Sequence, residues 1–298
     1  MNAEYADVVE RAFEVNSGDK LKIHCDHGEV RVEGIQGKRC LIKVFRKVSN
    51  LSEDDARNRL EKLEIDFNQK KDTIEFRLGD DASWWQRVFG ENTPVEVIVE
   101  VSLPRNFDLE AHTNGGDIEV KFLDGDLELA SSGGDLKLKE CGGEAELKTA
   151  GGDIVVETFL GPLDMKSSGG DIIADRTQGE LDAKTSGGDI RIGNHSGNID
   201  AQSTGGDIHA ALRQNGFDDI DLNSTGGDIR LILPDHSAFK FRAKAFGGDI
   251  TTQFKNLKTI DRGFTEWEAE VNGGGEAKVE LRSLGGDIII DILQSKAL

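Results

Sequence analysis

A chain of 298 residues can form one large domain or two ordinary ones, and 36 glycines beside only 4 prolines fit many tight turns rather than collagen or a low-complexity linker. A net charge of −20 repels phosphate backbones and anionic membrane surfaces, which argues against nucleic acid as a partner and favours cations or basic proteins. Cys25, Cys40 and Cys141 are scattered and odd in number, with no CxxC pair, so they read as buried free thiols rather than a disulfide framework or a zinc site.

The N-terminal segment MNAEYADVVERAF has no apolar core, and nowhere do about 20 apolar residues run together. The expectation is a cytoplasmic protein without a membrane span, or an exported or anchored one if the sequence is part of a longer chain. Residues 1–108 read as N-terminal strands with one helix, forming the first coils and cap of a repeat structure. KLKIHC, HGEVRVEG and CLIKVFRKV have strand character. Ser52 is placed as N-cap of a helix over about 52–63, with acids in its first turn and Leu60 and Leu63 on one face. Strands resume at LEIDF, TIEFRL and VEVIVEVSLP.

Between the last two lies GDDASWWQRVFGENTP, which carries Trp84, Trp85 and Phe89. An aromatic loop can anchor a partner, hook a membrane interface, or simply cover an open end of the core. These three residues are the partner-binding candidates.

Residues 109–293 repeat. The second glycine of each GGD falls at Gly116, Gly134, Gly152, Gly170, Gly188 and Gly206, at one constant interval of two nonapeptides, and then at Gly227, Gly248 and Gly286. A weaker series, Gly125, Gly143, Gly161, Gly179 and Gly197, falls one nonapeptide after the strong one. The third and fifth positions of every nonapeptide from Ile118 to Ala210 are apolar, and most flanking positions are polar. That period of two marks a short strand with one buried face. Such a strand cannot bury its face alone, but stacked copies can. The fold predicted is an all-β, single-stranded β-solenoid: coils of about 18 residues, two strands each, stacked at about 4.8 Å, about eight coils in all. Gly116, Gly134, Gly152, Gly170, Gly188, Gly206, Gly227 and Gly248 are read as structural turns that adopt positive φ. Outside the core, Glu146, Asp164 and Asp182 run beside Lys148, Lys166 and Lys184 as parallel ladders of opposite charge.

The GGD aspartates form one column. Neighbours about 5 Å apart repel, so hydroxyls and turn amides must offset the charge. Asp135, Asp153, Asp171, Asp189 and Asp207 are the weak candidates for binding calcium. Calcium-binding nonapeptides place the Asp two residues before the aliphatic residue and carry a third glycine, and here neither holds. No metal and no cofactor is therefore assigned.

At the far end, LRSLGGDIIIDILQSKAL is unusually apolar and reads as a capped last coil or a self-association edge, with residues 294–298 a tail and Trp267 in the closing region.

Three stretches together resemble the bacterial DUF4097 group of adhesin-like β-strand repeat proteins. They are VEVIVEVSLPRNFDLEAHTNGGDIEV, the serial SSGGDI and TSGGDI turns, and LILPDHSAFKFRAKAFGGDI, over about residues 12–293. The resemblance implies a β-solenoid and carries over no catalytic or binding residue; many members are exported or membrane-anchored. His24, His27, His112, His195, His209 and His236 form no recognisable catalytic constellation, so no enzyme is expected. The reading is a non-catalytic scaffold or binding module for an unknown protein or cell-surface partner. The alternatives are a polymer built end to end through Ile288–Leu293, as in bactofilins, and calcium-dependent binding through the Asp column.

Overall fold

The computed structural model describes residues 4–49, 52–79, 95–213 and 217–293. The chain divides into two units, 1–143 and 144–298, each a stack of β-coils. Among the described residues no helix is long and apolar enough to cross a membrane.

In the first unit the elements are β1 (Glu4–Glu14), β2 (Lys20–Cys25), β3 (Glu29–Ile35), β4 (Arg39–Ser49), α1 (Glu53–Leu60), β5 (Glu64–Lys70), β6 (Thr73–Gly79), β7 (Val95–Pro104), β8 (Asp108–Thr113), β9 (Ile118–Lys121) and β10 (Asp124–Ser131). Strand β11 (Leu136–Thr149) begins here and runs into the second unit. One ladder is ordered β5–β6–β2–β8–β10 and the other β1–β4–β7–β3–β9–β11. Pairing is parallel except for the antiparallel outer pairs β5–β6, β1–β4 and β4–β7. The helix starts where the sequence places it: the Ser52 hydroxyl accepts the Asp55 N–H at 3.2 Å. Its Ala56 and Leu60 are buried, and the Leu60 carbonyl accepts from the Arg46 guanidinium at 2.8 Å.

The second unit contains β12 (Ile154–Leu160), β13 (Leu163–Ser167), β14 (Ile172–Gln178), β15 (Leu181–Thr185), β16 (Ile190–His195), β17 (Ile199–Ser203), β18 (Ile208–Leu212), β19 (Asp219–Ser224), β20 (Ile229–Leu233), β21 (Phe239–Ala245), β22 (Ile250–Thr252), β23 (Leu257–Arg262), β24 (Glu266–Val271), β25 (Lys278–Ser283) and β26 (Ile288–Ile292). Even-numbered strands form a parallel ladder β12–β14–β16–β18–β20–β26–β22. The other ladder runs β11–β13–β15–β17–β19–β25–β21, then antiparallel through β24 to β23. The register is the repeat itself: Leu163 faces Leu181 and Leu181 faces Ile199, each one coil further on. The inward columns, Ile154–Ile172–Ile190–Ile208 and their partners, are buried and constitute the core.

The C-terminal apolar segment is not the last coil. β26 lies between β20 and β22, and Ile290 is 0 % exposed. The terminal positions are taken by β22 and by the β23–β24 hairpin, so Ile288–Leu293 offers no free edge for end-to-end growth. Trp267 does pack at this end, edge-on to Phe241 with ring centroids 5.4 Å apart.

The positive φ expected of the GGD glycines is found elsewhere. Gly116, Gly134, Gly170, Gly188, Gly206, Gly227 and Gly248 lie outside the left-handed region. They are glycine because the coils touch: a Cβ on Gly188 would stand 2.3 Å from the Gly170 carbonyl oxygen, closer than any side chain can come. Positive φ belongs to the weaker corner, at Gly143, Gly161, Gly179 and Gly197. Shortly before each of these, Glu140, Thr158, Arg176 and Asn194 are also left-handed, with φ between 52 and 64°.

Candidate functional site

The GGD turn is a stitch between coils. Each turn hydroxyl accepts an amide of its own turn and donates to a carbonyl of the coil below. Ser203 Oγ accepts from the Gly206 N–H at 2.9 Å and donates to the Gly188 carbonyl at 2.9 Å, and Ser167, Thr185, Ser224 and Ser283 repeat the pattern. These hydroxyls are buried, which makes a satisfied pair of bonds necessary.

The aspartate column works the same way. Oδ1 of Asp153 accepts the Asp171 N–H at 2.8 Å, Asp171 the Asp189 N–H at 2.8 Å, Asp189 the Asp207 N–H at 2.9 Å, and Asp207 the Asp228 N–H at 2.8 Å. In the first unit Asp117 accepts from Asp135 at 2.8 Å. In the second unit Asp153, Asp171, Asp189 and Asp207 are therefore brought into one file by the backbone amides they hold and deliver, and Asp135 stands in the same relation to Asp117 in the first. Arg191 adds charge compensation, reaching Asp189 Oδ2 at 2.6 Å and Asp171 Oδ2 at 3.2 Å. Among the described residues, no three His, Cys, Asp or Glu side chains converge as metal ligands would.

The three cysteines are buried and unpaired. Burial pushes the Cys25 and Cys40 thiols up to about 12 and raises Cys141, so all stay protonated and inert at neutral pH. His195 is also buried: its Nδ1 lies 2.9 Å from the Thr177 hydroxyl and its Nε2 3.2 Å from the Asn198 carbonyl. Desolvation holds the imidazole below its ordinary value, so it is a neutral core residue. Trp84, Trp85 and Phe89 lie outside the described residues.

The surface of the described residues includes two grooves. In the first unit, about 320 Å³ is enclosed by side chains including Lys22, His24, Arg77, Glu110 and His112. His24 and His112 are register neighbours, but their Nε2 atoms turn to different carboxylates, Asp26 at 3.5 Å and Glu110 at 3.7 Å. Lys22 bonds Glu110 at 2.6 Å, which lowers that carboxyl below its ordinary value. Within this groove Lys22 and His112 both turn to Glu110.

The larger groove, about 420 Å³, lies on the second unit. Its floor is a file of long polar side chains, Lys166, Lys184, Gln202 and Asn223, set one strand apart by the β13–β15–β17–β19 register. Its wall is a file of exposed hydroxyls, Ser186, Thr204 and Thr225. Carboxylates run behind the floor: Lys166 pairs with Asp164 at 2.6 Å, Lys184 with Asp200 at 3.6 Å, and Gln202 donates to Asp200 at 3.0 Å. Desolvation, then the neighbouring Asp200, raises Asp182 above its ordinary value. In space the hydroxyl file ends where β25 and β21 follow β19, because Leu284 and Phe246, both exposed, replace the hydroxyls. In the sequence the two files flank the buried turn hydroxyls, the floor residue just before each and the wall residue just after, but nothing there says that they border a groove.

Coils of parallel strands, with turn hydroxyls and carboxylates bonding one coil to the next, define a β-solenoid. The chain matches the family described as Toastrack DUF4097 over residues 18–291, and it belongs to that family. No match was found among curated proteins. Solved structures similar to it include a candidate adhesin from Bacteroides fragilis, at 16% identity, TM-score 0.46, with 96% of this chain and 97% of that chain covered. A candidate lipid-binding protein from Parabacteroides distasonis matches at 12% identity, TM-score 0.47, with 97% of each chain covered. A candidate cell adhesion protein from Clostridium sporogenes matches at 13% identity, TM-score 0.25, with 97% of this chain and 100% of that chain covered.

Proposed function

We propose that the chain is a non-catalytic binding module that holds an extended, polyhydroxylated partner, such as a cell-surface polysaccharide, along the groove of the second unit. The observation that carries this reading is the repetition of the groove. Donors from Lys166 to Asn223 recur at the strand spacing of about 4.8 Å beside a file of hydroxyls that both donate and accept. A chain of sugar rings needs such a file of mixed donors and acceptors. The lysine charges are offset by Asp164 and Asp200, so the floor attracts hydroxyls without demanding a polyanion. The other buried polar groups support a scaffold rather than chemistry, since the turn hydroxyls and column aspartates are engaged in joining coils.

The test is retention of the purified chain on immobilised bacterial envelope polysaccharides. Lys184→Glu together with Gln202→Glu is expected to cut retention at least tenfold at unchanged thermal stability, while the recovered polysaccharide keeps its length. Undiminished retention would remove the groove from the account. Loss on replacing Trp84 and Trp85 by Ser, with the groove variant silent, would place binding in the segment 80–94 instead.

A further inference from the structure

β1, β5, β22 and β23 each pair with one neighbour among the described residues, which leaves one side of each strand with unpaired backbone groups. Three of them are poor templates for another chain. β22 has three residues. β23 has six, is interrupted by a bulge between Thr259 and Asp261, and exposes Lys258, Asp261 and Arg262. β5 ends in Asn68, Gln69 and Lys70, and the Gln69 amide is committed to the Glu14 carbonyl at 3.1 Å.

β1 is different. It runs for eleven residues, without Gly, Pro or bulge, in unbroken register with β4 from Glu4–Ser49 to Glu14–Arg39. Its odd-numbered side chains face inward with the buried side of β4: Tyr5 opposite Val48, Asp7 opposite Arg46, Val9 opposite Val44, Phe13 opposite Cys40. Asp7 holds Arg46 through both oxygens, at 2.8 and 2.5 Å. Arg11 is exposed on the same side, and no ion pair of its own is formed among the described residues.

We infer that β1 is a dimerisation edge whose occupant is β1 of a second copy of this chain, paired antiparallel about a two-fold axis through Val9. Only registers that set odd residues opposite odd residues keep both inward faces on one side of the joined sheet. Among these, the register centred on Val9 is the one that overlaps all eleven residues; the carbonyl of the last, Glu14, keeps its bond from the Gln69 amide and stays out of the new ladder. It is also the register that sets Asp7 of each copy opposite Arg11 of the other, twice, and Tyr5 opposite Phe13, twice. Like charges meet only at the outermost position, Glu4 opposite Glu14, also twice, and there Arg39 already meets the Glu14 carboxylate at 2.7 Å. Slipping by two residues in one direction sets Glu10 against Glu10; slipping in the other sets Tyr5 against Arg11 and leaves Asp7 opposite Val9. The pairing is isologous and closed, so it yields a dimer and not a fibre. It goes beyond the binding reading and does not rest on it, although two copies of the groove on one particle would add avidity for a repeating partner.

The test is molar mass by light scattering on the full chain over a concentration series, with two variants. The native chain is expected to reach twice 32.5 kDa as concentration rises. Arg11→Asp sets carboxylate against carboxylate twice and is expected to weaken dimerisation at least tenfold, with unchanged circular dichroism. Val9→Cys places two thiols across the axis, within the range in which a disulfide forms, and the native cysteines are buried and do not compete. Mild oxidation is expected to give a covalent dimer for Val9→Cys and none for Val8→Cys, whose partner is Glu10. The monomer mass at every concentration, or a dimer that Val9→Cys fails to cross-link, would overturn the inference.

Discussion

At the N-terminal end, β2 and β3 lie between strands that follow them in sequence, with β6 and β7 on one side and β8 and β9 on the other. At the C-terminal end, β25 and β26 lie between β19 with β20 and β21 with β22, all of which precede them. In both units a terminal segment is slotted into the stack, and a later or earlier excursion supplies the outer coil. A terminal coil laid on the outside would have one neighbour and would fray. Slotted, it cannot leave without breaking two ladders. The two ends then part company: the C-terminal stack closes with a short, bulged, charged strand, whereas the N-terminal stack ends in the long regular β1. Closing an edge and leaving one open are separate decisions, and this chain makes one of each.

The largest expected effect comes from charging the slotted coils. Ile290→Asp in β26 and Val32→Asp in β3 each put a carboxylate where the side chain is 0 and 2 % exposed, between two paired strands. An unpaired buried charge costs about 3–5 kcal/mol. Both variants should lower the unfolding free energy by that amount, and to a similar degree, in denaturant titrations. A loss under about 1 kcal/mol at Ile290 would mean that β26 sits at an edge after all.

Next in size is a contrast within the aspartate file. Asp189 Oδ1 accepts the Asp207 amide and its Oδ2 meets Arg191. Asp249 belongs to the outermost coil: it gives its own N–H to Asp287 at 2.8 Å, but no amide is bonded to its carboxylate among the described residues. Asp189→Ala should therefore cost about 0.5–1.5 kcal/mol, the net worth of a hydrogen bond whose amide is exposed to water. Asp249→Ala should cost less than about 0.5 kcal/mol. Equal costs would show that the file acts through electrostatics shared along its length and not through the stitches.

What the sequence reveals follows from what repeats in it. The coil period, the inward columns and the buried turn hydroxyls are visible because each coil needs the same residue type at the same place. The helix start at Ser52 is visible because a cap is a local contact. The slotting of β25 and β26 is not visible, because KVELRSLGGDIII carries the same signals whether it stacks last or between two coils. The reason for glycine is hidden too. Sequence gives the glycine but not its cause, and at the GGD turns the cause is the carbonyl of the coil below, a contact that only stacking creates. The groove of the second unit escapes a sequence reading for a related reason: Lys166, Lys184, Gln202 and Asn223 look like an ordinary solvated face until the register shows them in file.

The smallest effect tests the corner that neither end shares. Phe122 and Glu140 in the first unit, and Thr158, Arg176 and Asn194 in the second, recur at the coil period of the sequence, all left-handed, although their types have nothing in common. A left-handed non-glycine residue costs about 1–2 kcal/mol, least for Asn. Thr158 is the least suited, since a β-branched side chain crowds the backbone most at φ 64°. Against this, the Thr158 hydroxyl accepts from Arg176 Nε at 3.1 Å on the exposed surface, a bond worth a few tenths of a kcal/mol. Glycine relieves the strain but adds unfolded-state freedom of about 0.5–1 kcal/mol. Asparagine relieves most of it without that loss, as the chain itself does at Asn194. Thr158→Asn is therefore expected to stabilise the protein by about 0.5–1 kcal/mol, and Thr158→Gly by less, in matched denaturant titrations. Asn194→Thr should show the reverse sign. If Thr158→Asn instead destabilises, the hydroxyl bond to Arg176 outweighs the backbone, and the corner is held by its side chains rather than tolerated in spite of them.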